Sequence, residues 1–125
     1  MLTSKDVIAT IGVRDMAIAR PFYEGKLGLT ARPEQQPGVV TFRSGSTSIL
    51  VYESQYAGTN RATAATWFVG ADIGAIVSDL QSRGVGFEDY DFPEAKREGP
   101  IYVFGTLRTA WFKDPDGNTL AIVSA

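Results

Sequence analysis

The sequence has no cysteine and no histidine in its 125 residues. Without cysteine there is no disulfide, no thiolate metal site and no thiol nucleophile. Without histidine, the commonest transition-metal ligand and the commonest acid–base group near neutral pH are missing. No Ser-His-Asp or Cys-His relay can be assembled within one chain. Carboxylates, amides, hydroxyls, aromatic rings, lysine and arginine remain. An excess of one charge is also lacking: 12 Lys and Arg face 14 Asp and Glu, a net of -2. Lys96-Arg97 is the only adjacent basic pair, so neither nucleic acid nor an anionic membrane is expected as a partner. Apolar runs such as Ser48–Tyr52 are short, far below the ~20 residues of a membrane span. The N-terminal MLTSKDVIATIG has no extended apolar stretch and no clear cleavage site. No signal peptide is therefore expected, and a cytoplasmic location is the default.

What is present is a globular composition, 44% hydrophobic. At roughly 100–200 residues per domain, the chain makes one compact domain or two fused halves. A chain of this size buries roughly two-thirds of its unfolded surface, enough for a core without staples.

The halves resemble each other. Val7–Val13 is apolar and β-branched and reads as a strand. Asp15 stands where a helix N-cap belongs, with Met16, Ala19, Phe22, Tyr23 and Leu27 at helical spacing and Gly28 as the stop. In the second half Thr66–Val69 reads as a strand and Asp72 as the cap. Ile73, Ile76, Val77 and Leu80 form the apolar stripe, and Gly84 ends it. Asp15 to Asp72 is 57 positions and Gly28 to Gly84 is 56, which points to an internal duplication. Pro21 falls inside the first helix and is expected to kink it.

Each helix is followed by three strand-like segments. They are Leu29–Arg32, Val39–Arg43 and Ser48–Tyr52, then Gly86–Tyr90, Tyr102–Phe112 and Thr119–Val123. Pro37-Gly38, Ser44-Gly45 and Asp116-Gly117-Asn118 mark turns. The expected fold is α+β: two βαβββ modules, about 6–53 and 64–125, joined by a linker at 54–63. Phe92–Pro100, rich in charge, reads as a surface loop, or as a lid over a cleft.

Val13-Arg14-Asp15 with Phe22-Tyr23-x-x-x-Leu27-Gly28-Leu29 resembles the first motif of the vicinal oxygen chelate superfamily. That superfamily includes glyoxalase I, bleomycin-resistance proteins and extradiol dioxygenases. Phe112-Lys113-Asp114-Pro115-Asp116-Gly117-Asn118 is similar to its second motif, the turn before the last strand. The resemblance implies two modules side by side, curling as a mixed sheet around a U-shaped cleft, and implies a homodimer. In metal-using members four ligands line the cleft. Counting from the motifs places those positions at Ile8, Ala65, Ala121 and, within one residue, Leu50. All are apolar, and a divalent ion needs several N or O donors. Glyoxalase I and extradiol dioxygenase chemistry are therefore not expected, and neither a metal nor another cofactor is.

Strand alternation extends that inward face to Thr10, Tyr52, Trp67, Thr119 and Val123. Trp111 matches a family position that often faces the pocket, and Tyr56, Tyr102 and Phe104 sit in or near the loops. The expected ligand contacts are Ile8, Thr10, Leu50, Tyr52, Ala65, Trp67, Tyr102, Trp111, Thr119 and Ala121, with no catalytic residue. Such a greasy, ring-lined pocket suits a flat or aromatic small molecule, held as bleomycin-resistance-type proteins sequester a drug. The alternative is a metal-free isomerase or lyase with Glu53, Tyr52 or Asp91 as base. In a third reading Trp67 and Trp111 are plain core of a domain without a ligand. Arg43 and Arg108 are candidate anion anchors; Asp114 and Asp116 are expected to bind turn amides.

Overall fold

The computed structural model describes residues 1–33 and 36–125. The first strand, β1, is Ala9–Val13. Asp15 then accepts from the Ala17 amide at 2.9 Å, capping helix α1, Met16–Arg20. Such a cap is worth about 1 kcal/mol. A second carboxylate helps from outside the helix: Glu53 Oε2 accepts from the Met16 amide at 3.0 Å. Pro21 has no amide to continue the α ladder. From Pro21 to Lys26 the helix winds wider, and the Leu27 amide donates to the Phe22 carbonyl, five residues back, at 2.9 Å. Both Phe22 and Tyr23 are buried. Gly28, at φ 73°, then reverses the chain as its position predicted.

Three strands follow: β2, Thr30–Ala31; β3, Val39–Ser44; and β4, Thr47–Glu53. They form a four-stranded sheet in the order β1-β4-β3-β2, with β1 and β4 parallel. The second half repeats the plan with differences. Strand β5 is Thr63–Phe68. Asp72 makes no capping side-chain bond; a tight turn over Gly70–Asp72 leads instead into α2, Ile73–Ser82. Gly84, at φ 86°, ends the helix. The expected strand at Gly86–Tyr90 is reduced to one bridge, Phe87 to Phe112, and residues 88–95 are irregular. The charged segment read as loop instead contributes β6, Lys96–Glu98. The long strand expected at Tyr102–Phe112 is a hairpin of β7, Ile101–Phe104, and β8, Leu107–Lys113, turning at Gly105. The last strand, β9, is Thr119–Val123. This sheet runs β5-β9-β8-β7-β6, with β5 and β9 parallel like β1 and β4. The fold is α+β, as expected, with one mixed sheet of four strands and one of five.

One hydrophobic cluster spans both halves. Ile11, Val13, Phe42 and Val51 of the first sheet join Phe112, Leu120 and Ile122 of the second, with Phe22, Tyr23, Ile73 and Val77 from the helices. Within it lies a buried polar junction. The Tyr23 hydroxyl donates to Asp114 Oδ2 at 2.8 Å, and Asn118 Nδ2 donates to the same oxygen and to the Gly12 carbonyl, each at 2.8 Å. Asp114 Oδ1 accepts from the amides of Asp116 and Asn118, both at 2.9 Å. The turn before β9 is thereby tied to the helix and first strand of the other half. Tyr23→Phe leaves the carboxylate three of its donors, and a lost bond to a charged group costs about 1.5–3 kcal/mol, measurable by urea denaturation. Burial first, and then the Asp114 carboxylate, raise the Tyr23 hydroxyl far above the ordinary phenol range. The unfolded phenol ionises near ~10, so the unfolded state gains ionisation energy above that pH while the native state does not. Wild-type stability should fall as pH rises beyond about 10, and Tyr23→Phe should flatten that alkaline limb in thermal melts.

Candidate functional site

Each sheet has one face on the shared core and one open face. In the first sheet, pairing of Thr10 with Leu50, Gly12 with Tyr52, and Thr41 with Leu50 puts these residues on the open side. Alternation carries Ile8 with them. Thr10 is exposed, Leu50 half-buried, and Ile8 and Tyr52 are each 38% exposed. Small-molecule pockets run from about 300 Å³ upward; here a hollow of about 320 Å³ is lined by Arg32, Val39, Thr41 and Leu50.

The second sheet corrects part of the expectation. Thr63 pairs with Thr119, but Ala65 pairs with Leu120, so β5 carries one extra residue at this point. A bulge of one residue exchanges the faces of everything beyond it. Without it Ala65 would oppose Ala121 and Trp67 would oppose Val123, both on the open side. With it Ala65 and Trp67 turn to the core, and Thr66 and Phe68 take the open face. Trp67 stacks on Phe112 at 6.3 Å, and its Nε1 donates to Ser44 Oγ at 2.9 Å. The open face keeps Tyr102, Trp111, Thr119 and Ala121, through the pairs Tyr102–Thr109, Trp111–Ala121 and Lys113–Thr119.

That open face is roofed by the irregular segment before β6. The Phe92 ring lies 5.4 Å from Tyr102 and from Phe104, and 5.6 Å from Trp111. Tyr90 meets Trp111 edge-on at 5.5 Å. The Tyr102 hydroxyl donates to the Tyr90 carbonyl at 2.9 Å and accepts from the Tyr90 amide. The Arg97 guanidinium sits 4.2 Å from the Tyr102 ring centre, held by Asp89 at 2.9 Å. Tyr102, Thr119 and Ala121 are consequently buried, while Trp111 is half-buried. Burial first, and then the Glu88 carboxylate, raise the Tyr90 hydroxyl above the usual phenol range. Tyr90 and Phe92 were not singled out from sequence. Their signal was available only as aromatic residues inside a charged stretch.

The positions that the resemblance assigns to metal ligands carry no donor atoms. Ile8, Leu50 and Ala121 present hydrocarbon to the open faces, and Ala65 faces the core. Among the described residues no three carboxylates are grouped to hold an ion. The proposed bases fare little better. Glu53 is committed to the α1 amide, and Asp91 is exposed on the roof segment; Tyr52 alone of the three lies on an open face. Arg108 pairs with Glu98 at 2.7 Å on the core-side register, whereas Arg43, exposed, shares the open-face register of Thr41. Asp114 binds turn amides as expected, and the Asp116 carboxylate accepts instead from the Arg14 amide and guanidinium, each at 3.1 Å.

Comparison with known proteins agrees with this architecture. Residues 6–122 match the family model described as Glyoxalase/Bleomycin resistance protein/Dioxygenase superfamily. An integron cassette protein from the mobile metagenome of a Halifax Harbour sewage outfall is 18% identical, with TM-score 0.71 over 97% of this chain and 99% of that one. Lactoylglutathione lyase from Agrobacterium tumefaciens is 14% identical, with TM-score 0.70 over 97% and 94%. A fosfomycin resistance protein from Listeria monocytogenes is 13% identical, with TM-score 0.67 over 98% and 91%. A search of the curated proteins returned no match. At these identities the solved structures speak for the fold alone. With two βαβ-type halves, both motif turns and a family match from residue 6 to residue 122, the chain belongs to the glyoxalase/bleomycin resistance/dioxygenase superfamily.

Proposed function

We propose that this chain binds a small, flat, apolar or aromatic molecule on its open sheet faces without a metal, in the manner of drug sequestration. The observation that carries this reading is the accessible hydrocarbon of Ile8 and Leu50 on the open face of the first sheet, together with the half-buried rings of Trp111 and Phe92. Rings and methyl groups hold a ligand through buried area and stacking, and supply no Lewis acid. Thr10, Tyr52 and Thr66 provide hydroxyls for orientation, and the half-buried rings of Trp111 and Phe92 provide the stacking surface.

A homodimer belongs to the same proposal. Val7 is 92% exposed, and Phe68 70%. Both border a hollow of about 630 Å³ between the start of β1 and β5, with Ile8 and Thr66. An apolar strip of this kind favours a second copy of the chain, whose open face would complete the pocket.

Titration with a panel of flat aromatic antibiotics should quench tryptophan emission, and Trp111→Leu should weaken binding by about tenfold or more, the loss of one stacking anchor. Dialysis against a chelator should leave the affinity unchanged. Silence across the panel, or stoichiometric uptake of Zn or Ni needed for binding, overturns the reading. Sedimentation should give a dimer for the wild type and a monomer for Phe68→Glu; a monomeric wild type that still binds removes the dimer from the proposal.

A further inference from the structure

The bulge that turns Trp67 away from the open face turns it toward a second cavity. A space of about 270 Å³ lies between the halves on the core side of the second sheet. Trp67, Phe112 and Ile122 make its floor, α2 makes one wall through Ile76 and Leu80, and Leu27 and Leu29 of the first half make the other. Its register separates it from the open faces: Trp67 pairs with Ile122, whereas Trp111 pairs with Ala121 on the far side of the sheet.

The lining defines a ligand. A cavity of about 150 Å³ lined by aliphatic and aromatic side chains accommodates benzene. The larger space here therefore suits one or two fused rings rather than an extended drug. Eight apolar side chains and two polar residues, Ser44 and Asp79, line it, and Asp79 carries the only charge. Ser44 Oγ is already an acceptor for Trp67 Nε1. Asp79 Oδ2 accepts from Arg83 Nε at 3.1 Å, and Arg83 itself reaches away to the Gly25 carbonyl at 3.2 Å. A carboxylate accepts from several donors at once. Asp79 is 59% exposed, so it stands at the mouth. An ammonium group placed there keeps part of its hydration and creates no buried charge. We propose that this inter-module cavity is a second small-molecule site, separate from the open faces, that takes an arylalkylamine: rings against Trp67, Leu27 and Ile76, ammonium at Asp79.

The test is calorimetric titration with naphthalen-1-ylmethylamine and its neutral counterpart naphthalen-1-ylmethanol. The amine should bind more tightly than the alcohol. Asp79→Asn should weaken the amine by about threefold to fivefold, the scale of a partly exposed ion pair, and leave the alcohol unchanged. Ile76→Trp should fill the cavity and abolish binding of both. As a check on packing, Ile76→Phe with a native circular dichroism spectrum should weaken both ligands. In a Trp111→Phe background the amine should still alter the emission of Trp67. Absence of binding at millimolar amine, equal affinities of amine and alcohol, or full affinity in a folded Ile76→Phe protein overturns the proposal.

Discussion

A buried carboxylate holds the two halves of this molecule in one arrangement. Asp114 is 5% exposed, and an ionised group at that depth is tolerable only if its lone pairs are occupied. Four donors occupy them: the Tyr23 hydroxyl, Asn118 Nδ2, and the amides of Asp116 and Asn118. Two donors are local and shape the turn. Tyr23 comes from the other half, and Asn118 reaches on to Gly12 in β1. Sliding one half over the other would leave the carboxylate short of partners, a greater loss than any single apolar contact. The Arg14–Asp116 pair at 3.1 Å, its guanidinium exposed and its carboxylate largely covered, flanks the same junction.

With the junction fixed, the helices and the core sides of both sheets share one apolar interior, and the open faces point away from it. The two open faces meet different fates. The first sheet leaves Thr10, Leu50 and Tyr52 accessible, whereas the second is covered by its own chain. Tyr90 and Phe92 lay their rings over Trp111 and Tyr102, and the exchange of hydrogen bonds between Tyr90 backbone and Tyr102 hydroxyl pins the segment down. Tyr90 comes from the expected strand Gly86–Tyr90 and Phe92 from the start of the segment read as loop or lid, which runs on into the short edge strand β6.

Much of the fold was legible because it depends on local chemistry. The Asp15 cap, the glycines at 28 and 84, and the alternating strands of the first half act within a few residues of chain. The second half was harder for stated reasons. Asp72 has the residue type of a cap, but a tight turn occupies its place. Gly105 splits what reads as one apolar strand: its positive φ makes a hairpin, and a lone glycine within the run is the one local sign of it. Lys96–Glu98 is polar throughout, and pairs because β7 offers it an edge.

The candidate site divides along the same line. Sequence alone determined which atoms are available: no imidazole, no thiol, and hydrocarbon at Ile8, Leu50 and Ala121, because residue identity fixes donor chemistry before any folding. Tertiary structure decided where those atoms face. One extra residue in β5 sends Ala65 and Trp67 to the core and brings Thr66 and Phe68 out. A strand's side chains alternate with a period of two, so a single bulge reverses them all. Its presence is settled by pairing with β9, more than 50 residues away along the chain.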